Sequence, residues 1–107
     1  MALFDKKTLD KTDDILQLIN KRRRQILVHS AIYYEFNDNL ISDKTFDDWC
    51  KELVSLHAKY PKQCAKAVFQ EVFRNWTGFS GYDLLKGHAG GWAGMKAKHL
   101  LELSRLL

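Results

Sequence analysis

The fold of this chain is decided by a stretch that holds the end of one helix, a short turn and the start of a second helix. Residues 33–61 read YYEFNDNLISDKTFDDWCKELVSLHAKYP. The Asn-Asp-Asn run at 37–39 interrupts the helical pattern, because short polar side chains compete for backbone hydrogen bonds and tolerate left-handed conformations. Ser42 or Asp43 then caps a second helix, which Pro61 ends. Because the turn is short, we expect the two helices to be antiparallel neighbours.

Apolar residues recur at three- and four-residue intervals over four segments, a period typical of amphipathic helices. We predict helices from Thr12 to about Phe36, from residue 42 or 43 to 60, from Gln63 to about Trp76, and from Trp92 or Ala93 to the end. The apolar stripes are Ile15, Leu18, Ile19, Ile26, Ile32, Tyr33 and Phe36; Phe46, Trp49, Cys50, Leu53, Leu56 and Tyr60; Ala65, Val68, Phe69, Val72, Phe73 and Trp76; and Trp92, Met95, His99, Leu103, Leu106 and Leu107.

No segment alternates polar and apolar residues for long enough to predict a strand, so the expected fold is all-α. A chain of 107 residues is long enough for one core and one domain. We expect a helical hairpin over about 12–61, a Gly-rich connector over 77–91 and a C-terminal helix over 92–107. Trp49, Leu53, Phe69 and Phe73 are expected in the core.

Composition limits the possible classes of function. There are 17 Lys and Arg against 13 Asp and Glu, and this net charge of +4 permits contact with nucleic acid or an acidic protein without requiring it. Cys50 and Cys64 lie at apolar helical positions without metal-ligand spacing, which favours reduced core thiols. The chain has no signal-peptide pattern and no apolar run near the ~20 residues of a membrane span, so we expect a soluble cytoplasmic protein.

The turn is flanked by a candidate recognition site. Tyr33 and Tyr34 precede it, and Asp43, Phe46 and Asp47 follow it at helical spacing that places both carboxylates on one face. Aromatic rings can stack on a flat ligand, and carboxylates accept hydrogen bonds from hydroxyl or amide groups. The alternative is structural: the rings close the hairpin, Asp43 serves as a cap or first-turn charge, and Asp47 is a solvated surface residue.

The segment from Arg24 to Pro61 resembles the small N-terminal helical domain of NAD-dependent DNA ligases, which holds the nicotinamide mononucleotide (NMN) half of NAD. The resemblance implies that the same five residues bind NAD or NMN. Tyr34 stands where the family has His, and Phe46 stands where it has Tyr, so two polar groups are missing. The matching motif is Tyr33-Tyr34, Ile41-x-Asp43-x-x-Phe46-Asp47, Glu52-Leu53, Leu56 and Tyr60-Pro61.

The chain has no Lys-x-Asp-Gly, the nucleophile motif of the ligase adenylation domain, and it is too short to contain that domain. We therefore expect neither ligase activity nor any other enzymatic activity. Residues 72–84, VFRNWTGFSGYDL, are similar to the tail of small phage-encoded proteins whose front half resembles the same ligase domain. This second resemblance implies a phage or prophage origin and a host bacterial cytoplasm.

Other features have a structural and a functional interpretation. The run Lys21, Arg22, Arg23 and Arg24 lies mid-helix, where at most two members share a face, so it is either a solvated surface or a contact for nucleic acid or an acidic partner. Residues 87–96, GHAGGWAGMK, could bind an anion where glycines open a helix, but a flexible connector is favoured because phosphate-loop spacing is missing. The four histidines are too scattered to predict a metal site.

Three functions follow from these features. The first is protein binding: the hairpin contacts a host nucleic-acid enzyme or a defence protein, and an inhibitor of a CRISPR nuclease is one such case. The alternative is a module that binds or sequesters NAD, NMN or a related nucleotide. The third is nucleic-acid binding through residues 21–24 together with Lys96, Lys98 and Arg105 of the last helix.

Overall fold

A computed structural model describes residues 6–78 and 81–106, with side chains from residue 13 onward. All the regular secondary structure in these ranges is helical, which confirms the predicted all-α class. The elements are α1 (Lys6–Phe36), α2 (Asp43–Lys59), α3 (Pro61–Lys66), α4 (Gln70–Phe73), a 3₁₀ turn (Tyr82–Leu85) and α5 (Gly87–Leu106). None of the helices in the described ranges has the length and apolar character needed to cross a bilayer.

Helix α1 is the scaffold against which the other elements pack. It has 31 residues and so extends about 46 Å, and it contacts α2, α3, the 3₁₀ turn and α5. Its buried stripe joins residues of the later helices in one core. Leu53 and Phe73 are fully buried as predicted, whereas Trp49 and Phe69 are only partly buried against the core. The fully buried apolar residues of α1 are Ile19, Ile26, Leu27, Ala31 and Ile32.

The predicted hairpin is present, with one corrected boundary. Asn37 takes a left-handed conformation with φ 50°, and the Asp38 N–H donates to the Ile32 carbonyl over 3.1 Å, so α1 ends at the Asn-Asp-Asn run. Ser42 caps α2 through a 3.1 Å bond from the Thr45 N–H. The helix start predicted at Thr12 is wrong, because the backbone is helical from residue 6; the Thr12 side chain lies outside the described ones.

The single third helix predicted over 63–76 is also wrong, because the backbone leaves the helical path between α3 and α4. Phe69 adopts a left-handed conformation with φ 59°. The break is stabilised from α1: Asn20 Oδ1 accepts a hydrogen bond from the Val68 N–H, and Arg23 donates to the Val68 carbonyl, both over 2.9 Å. Tertiary hydrogen bonds thus replace the helical bonds that Val68 would otherwise make.

The Gly-rich segment contains more structure than predicted. It forms the 3₁₀ turn and the first turn of α5, which begins at Gly87 rather than at residue 92. Small residues make up most of the buried face of α5, and Gly90 packs so closely on Leu85 that an added Cβ would overlap the Leu85 carbonyl oxygen. The predicted stripe of α5 is therefore wrong, since Met95, Leu103 and Leu106 are exposed and Leu107 lies outside the described residues. The buried residues of α5 are Ala89, Gly90, Ala93, Ala97 and Leu101.

Candidate ligand-binding site

A cavity of about 580 Å³ lies between the end of α1, the turn and the first two turns of α2. Its volume is within the range of small-molecule sites, roughly 300–1,000 Å³. The structure brings all five residues of the sequence-predicted site to its lining. The lining residues are His29, Ser30, Tyr33, Tyr34, Asn39, Leu40, Ile41, Ser42, Asp43, Lys44, Phe46, Asp47, Cys50 and Gly78.

The α1 side of the cavity ends in a cluster of exposed tyrosines, Tyr33, Tyr34 and Tyr82, which we call the tyrosine cluster. The Tyr33 and Tyr34 rings meet edge to face at 4.9 Å and 85°, and the Tyr34 and Tyr82 rings at 5.4 Å and 69°. Such pairs favour fixed ring orientations. Tyr33 is 57% exposed, Tyr34 45% and Tyr82 59%. The cluster therefore presents aromatic surface to solvent beside the cavity, and the predicted burial of Tyr33 in the α1 stripe is wrong.

The α2 side supplies a ring and two carboxylates. Asp43, Phe46 and Asp47 follow at i, i+3 and i+4, so one helix face carries all three. Asp47 pairs with Lys51 over 3.1 Å, but both groups are largely exposed and the pair contributes little to stability. In the described part of the chain Asp43 has no ion-pair partner. Its carboxylate is available to a ligand at the cavity.

The third charged group at the cavity, the Lys44 ammonium, is already paired. The Lys44 ammonium lies 2.9 Å from Asp48 on the next turn, and this hydrogen bond raises the pKa of Lys44 and lowers the pKa of Asp48. Both side chains are well exposed to water, so the pair is easily broken. The charged residues of the lining are two carboxylates and one ammonium, so the local field favours a ligand group beside them that is cationic or neutral over one that is anionic.

The inner part of the cavity holds three residues that the sequence interpretation missed: His29, Ser30 and Cys50. His29 packs edge to face on Trp49 at 5.4 Å, and burial lowers the pKa of its imidazole, which favours the neutral ring. Burial first, and then the Asp47 carboxylate, raises the pKa of the Cys50 thiol to about 11. The Cys50 thiol is therefore protonated at neutral pH and is a poor nucleophile.

A sequence signal for two of these residues did exist. His29 and Ser30 precede Tyr33 and Tyr34 by one helical turn, so they lie beneath the two rings on the same face of α1. Gly78 and Gly81 had no such signal in the sequence, because they lie after α4 and no helical spacing relates them to the residues of the hairpin. Gly78 lines the cavity, and Gly81 packs on Ser30 so closely that an added Cβ would overlap Ser30 Oγ.

The structure does not place the basic run on one surface. Lys21 and Arg24 are exposed. Arg22 donates to Glu52 over 3.1 Å and lies over the Trp49 ring. Arg23 is only 1% exposed and donates to His57, to the Val68 carbonyl and to Gln70. Arg22 and Arg23 are thus engaged within the protein, and of the four residues of the run Lys21 and Arg24 remain exposed to contact nucleic acid or an acidic partner.

Within the described ranges no group of three or more His, Cys, Asp or Glu side chains is arranged to hold a metal ion. Residues 87–96, considered above as an anion loop or a connector, belong to the first half of helix α5. Lys96, Lys98 and Arg105 are exposed on this helix.

Comparison with known proteins gives one informative similarity. Fifty residues, 47% of the chain, are 40% identical to a DNA ligase of Pseudothermotoga lettingae. The matched part is 7% of that ligase, so the chain corresponds to a small fraction of the enzyme's length. No protein-family model matches the chain, and no solved structure matches it. The chain is thus similar to part of a DNA ligase, which confirms the ligase-like similarity predicted from the sequence.

Proposed function

We propose that this chain is a non-catalytic binding module whose cavity holds nicotinamide mononucleotide or the corresponding half of NAD. The observation that carries the proposal is that the five residues implied by the ligase resemblance line a single cavity. They lie on two helices and are up to 14 positions apart in the sequence, and the hairpin brings them together. The similarity to a DNA ligase supports the same conclusion.

The chemistry of the cavity suits this ligand. Tyr33 and Phe46 supply ring faces for the flat nicotinamide, and Asp43 and Asp47 supply acceptors for ribose hydroxyl or amide protons. The nicotinamide ring of oxidised NMN carries a positive charge, which the excess of carboxylates in the lining favours. The binding energy then comes from ring stacking, from hydrogen bonds to the carboxylates and from their attraction for the cation.

Two side chains differ from the ligase pattern and weaken the expected affinity. Tyr34 offers a phenol where an imidazole is expected, and Phe46 lacks a hydroxyl that could bond to the ligand. A hydrogen bond lost in a buried site leaves its partner unpaired, which costs about 1–3 kcal/mol of binding free energy. We expect binding to be weaker than in a ligase domain, while the stacking and the carboxylate contacts remain.

The proposal includes no chemical step. The sequence contains no Lys-x-Asp-Gly, so the lysine that becomes adenylated in ligases has no counterpart here. The one thiol in the cavity lining, Cys50, has a pKa raised to about 11. Neither a lysine nucleophile motif nor a thiolate is therefore available to react with a bound nucleotide.

Isothermal titration calorimetry with NMN tests the proposal. Wild-type protein should bind NMN, Tyr33→Ala should weaken binding by about tenfold through lost stacking, and Asp43→Asn should weaken it to a similar extent. Asp83→Asn is the matched control, because Asp83 is an exposed carboxylate outside the cavity lining. Absence of binding at millimolar NMN, or equal losses in Asp43→Asn and Asp83→Asn, would refute the proposal.

Protein binding is a second candidate, and the tyrosine cluster is the observation that favours it. Tyrosines are enriched at protein interfaces, and three of them stand exposed beside the cavity. The partner in this proposal is a host nucleic-acid enzyme or a defence protein of the kind that a phage-encoded inhibitor would block. The test is a pull-down from host lysate with wild-type chain and with a variant in which all three tyrosines are replaced by Ser. A host protein that binds wild type but not the variant, and that NMN does not displace, would favour this candidate over the first.

A further inference from the structure

Two polar atoms at the inner end of the cavity have no hydrogen-bond partner among the described residues. They are His29 Nδ1 and Ser30 Oγ, on adjacent residues of α1. Ser30 is 1% exposed, and the backbone at Gly81 covers it. Buried polar groups are nearly always paired, so an orphan pair inside a cavity requires an explanation. A ligand that pairs with both atoms supplies one.

The two groups together have a defined chemistry. The Ser30 hydroxyl can donate or accept a hydrogen bond, and neutral imidazole Nδ1 accepts one when the proton is on Nε2. A ligand group that pairs with both atoms presents one acceptor and one donor. A primary carboxamide does so, because its oxygen accepts from the hydroxyl while its NH₂ donates to the ring nitrogen.

We propose that Ser30 and His29 form a subsite that binds an uncharged carboxamide at the inner end of the cavity and discriminates against the corresponding carboxylate. This inference rests on the proposed function, since it assigns the buried end of the same ligand. It adds two specificity-determining residues from α1 to the five residues implied by the ligase resemblance.

Charge explains the discrimination. A carboxylate in this position would be removed from water and would share the cavity with Asp43 and Asp47. Lys44, the cationic residue of the lining, is held by Asp48. A carboxylate buried without a cationic side chain beside it is disfavoured, and the positive ring that acid and amide share offsets this only in part, whereas an uncharged amide loses only hydration that the two hydrogen bonds replace.

Binding requires a small rearrangement. Both atoms are shielded from water, so a ligand reaches Ser30 Oγ once that side chain turns about its Cα–Cβ bond, and reaches His29 Nδ1 once the imidazole turns about its Cβ–Cγ bond. The staggered positions of a serine hydroxyl are about 120° apart and interconvert readily. Ser30 Oγ makes no hydrogen bond with the described residues, so its rotation breaks none.

The experiment compares two ligands that differ only in this group, NMN and nicotinic acid mononucleotide, by calorimetry. Wild-type protein should bind NMN at least about tenfold more tightly. Ser30→Ala and His29→Phe should each weaken NMN by about five- to tenfold and leave the acid nearly unchanged, so that the preference collapses. Ser55→Ala, on the exposed side of α2 and outside the lining, is the matched control and should keep the preference.

Thermal unfolding without ligand separates a ligand-binding role from a structural one. Ser30→Ala should unfold at the same temperature as wild type or higher, because it removes an unpaired buried hydroxyl. A large fall in its unfolding temperature would show that the hydroxyl stabilises the fold and would overturn the inference. Equal affinity of wild type for both ligands, or an unchanged preference in both variants, would overturn it while the proposed function stands. Absence of binding by both ligands would overturn both.

Discussion

Replacing Arg23 by Met tests the interpretation of this residue as the internal support of the break between α3 and α4. Arg23 donates to three acceptors: His57 Nε2 at 3.2 Å, the Val68 carbonyl at 2.9 Å and Gln70 Oε1 at 3.0 Å. Its guanidinium also lies 5.2 Å from the centre of the Phe73 ring. The side chain thereby links α1 to α2, to the irregular segment and to α4.

The expected magnitude follows from these contacts. Met fills a similar volume but cannot donate a hydrogen bond, so three acceptors lose their donor. Each unpaired acceptor costs about 1–3 kcal/mol of stability. Burial lowers the pKa of Arg23, which shows that the buried cation is itself disfavoured, and removing it offsets part of the loss. We expect Arg23→Met to lower the free energy of unfolding by about 3–5 kcal/mol, a large part of the 5–15 kcal/mol typical of a small domain.

Urea denaturation followed by circular dichroism measures this change. Arg24→Met is the matched control: the neighbouring side chain is exposed and should change stability by less than about 0.5 kcal/mol. Arg23→Lys should fall between the two, because an ammonium keeps the charge but cannot reproduce the planar set of donors. A loss below about 1 kcal/mol for Arg23→Met, or a loss equal to that of Arg24→Met, would refute this reasoning.

Three further predictions concern other parts of the molecule. Gly90→Ala should destabilise the protein by about 1–3 kcal/mol because its Cβ would overlap a backbone carbonyl, whereas Gly91→Ala, which faces open space on the same helix, should stabilise it by up to about 1 kcal/mol in the same urea assay. Burial and the neighbouring guanidinium lower the pKa of His57 from 6.5 to about 4, so folding favours the neutral ring and stability should fall as the pH drops from about 6.5 through 4. Because the ring is partly exposed, this loss should be about 1–3 kcal/mol, and a His57→Gln variant with an undiminished loss would contradict it. Restoring the ligase residues through Tyr34→His and Phe46→Tyr should raise the affinity for NMN by about 30- to 1,000-fold in calorimetry, and an unchanged affinity would contradict the assigned ligand pose.

The hairpin could be predicted from the sequence because its signals are local. The polar run after Phe36, the Ser42 cap and the proline at 61 act on their own backbone or that of a near neighbour, and the structure confirms each of them. The cavity followed from the same hairpin, since helical spacing places Asp43 and Asp47 on one face. Tyr33 and Tyr34 lie at the opposing helix end.

The rest depended on contacts between distant parts of the chain. Arg23 belongs to a run of cations that is typical of a solvated face, and only the acceptors from residues 57, 68 and 70 explain its burial. The break at Val68 has the same origin, because its backbone groups bond to side chains 45 and 48 positions earlier. From the sequence, Gly90 is expected to be a flexible position. The structure shows instead that the Leu85 carbonyl occupies the space that a Cβ at Gly90 would need.

The cavity is connected, through Gly78 in its lining and Gly81 packed on Ser30, to a helix that supplies no lining residue. These glycines are followed by the 3₁₀ turn, which packs on both α1 and α5, while the cavity lining includes no residue of α5. Local opening of α5 would therefore loosen the 3₁₀ turn and uncover Ser30. A ligand that binds only the covered cavity disfavours this opening by mass action. Amide hydrogens of α5 should then exchange more slowly with ligand present, and a fragment ending at Pro61 would retain both walls of the cavity without its cover.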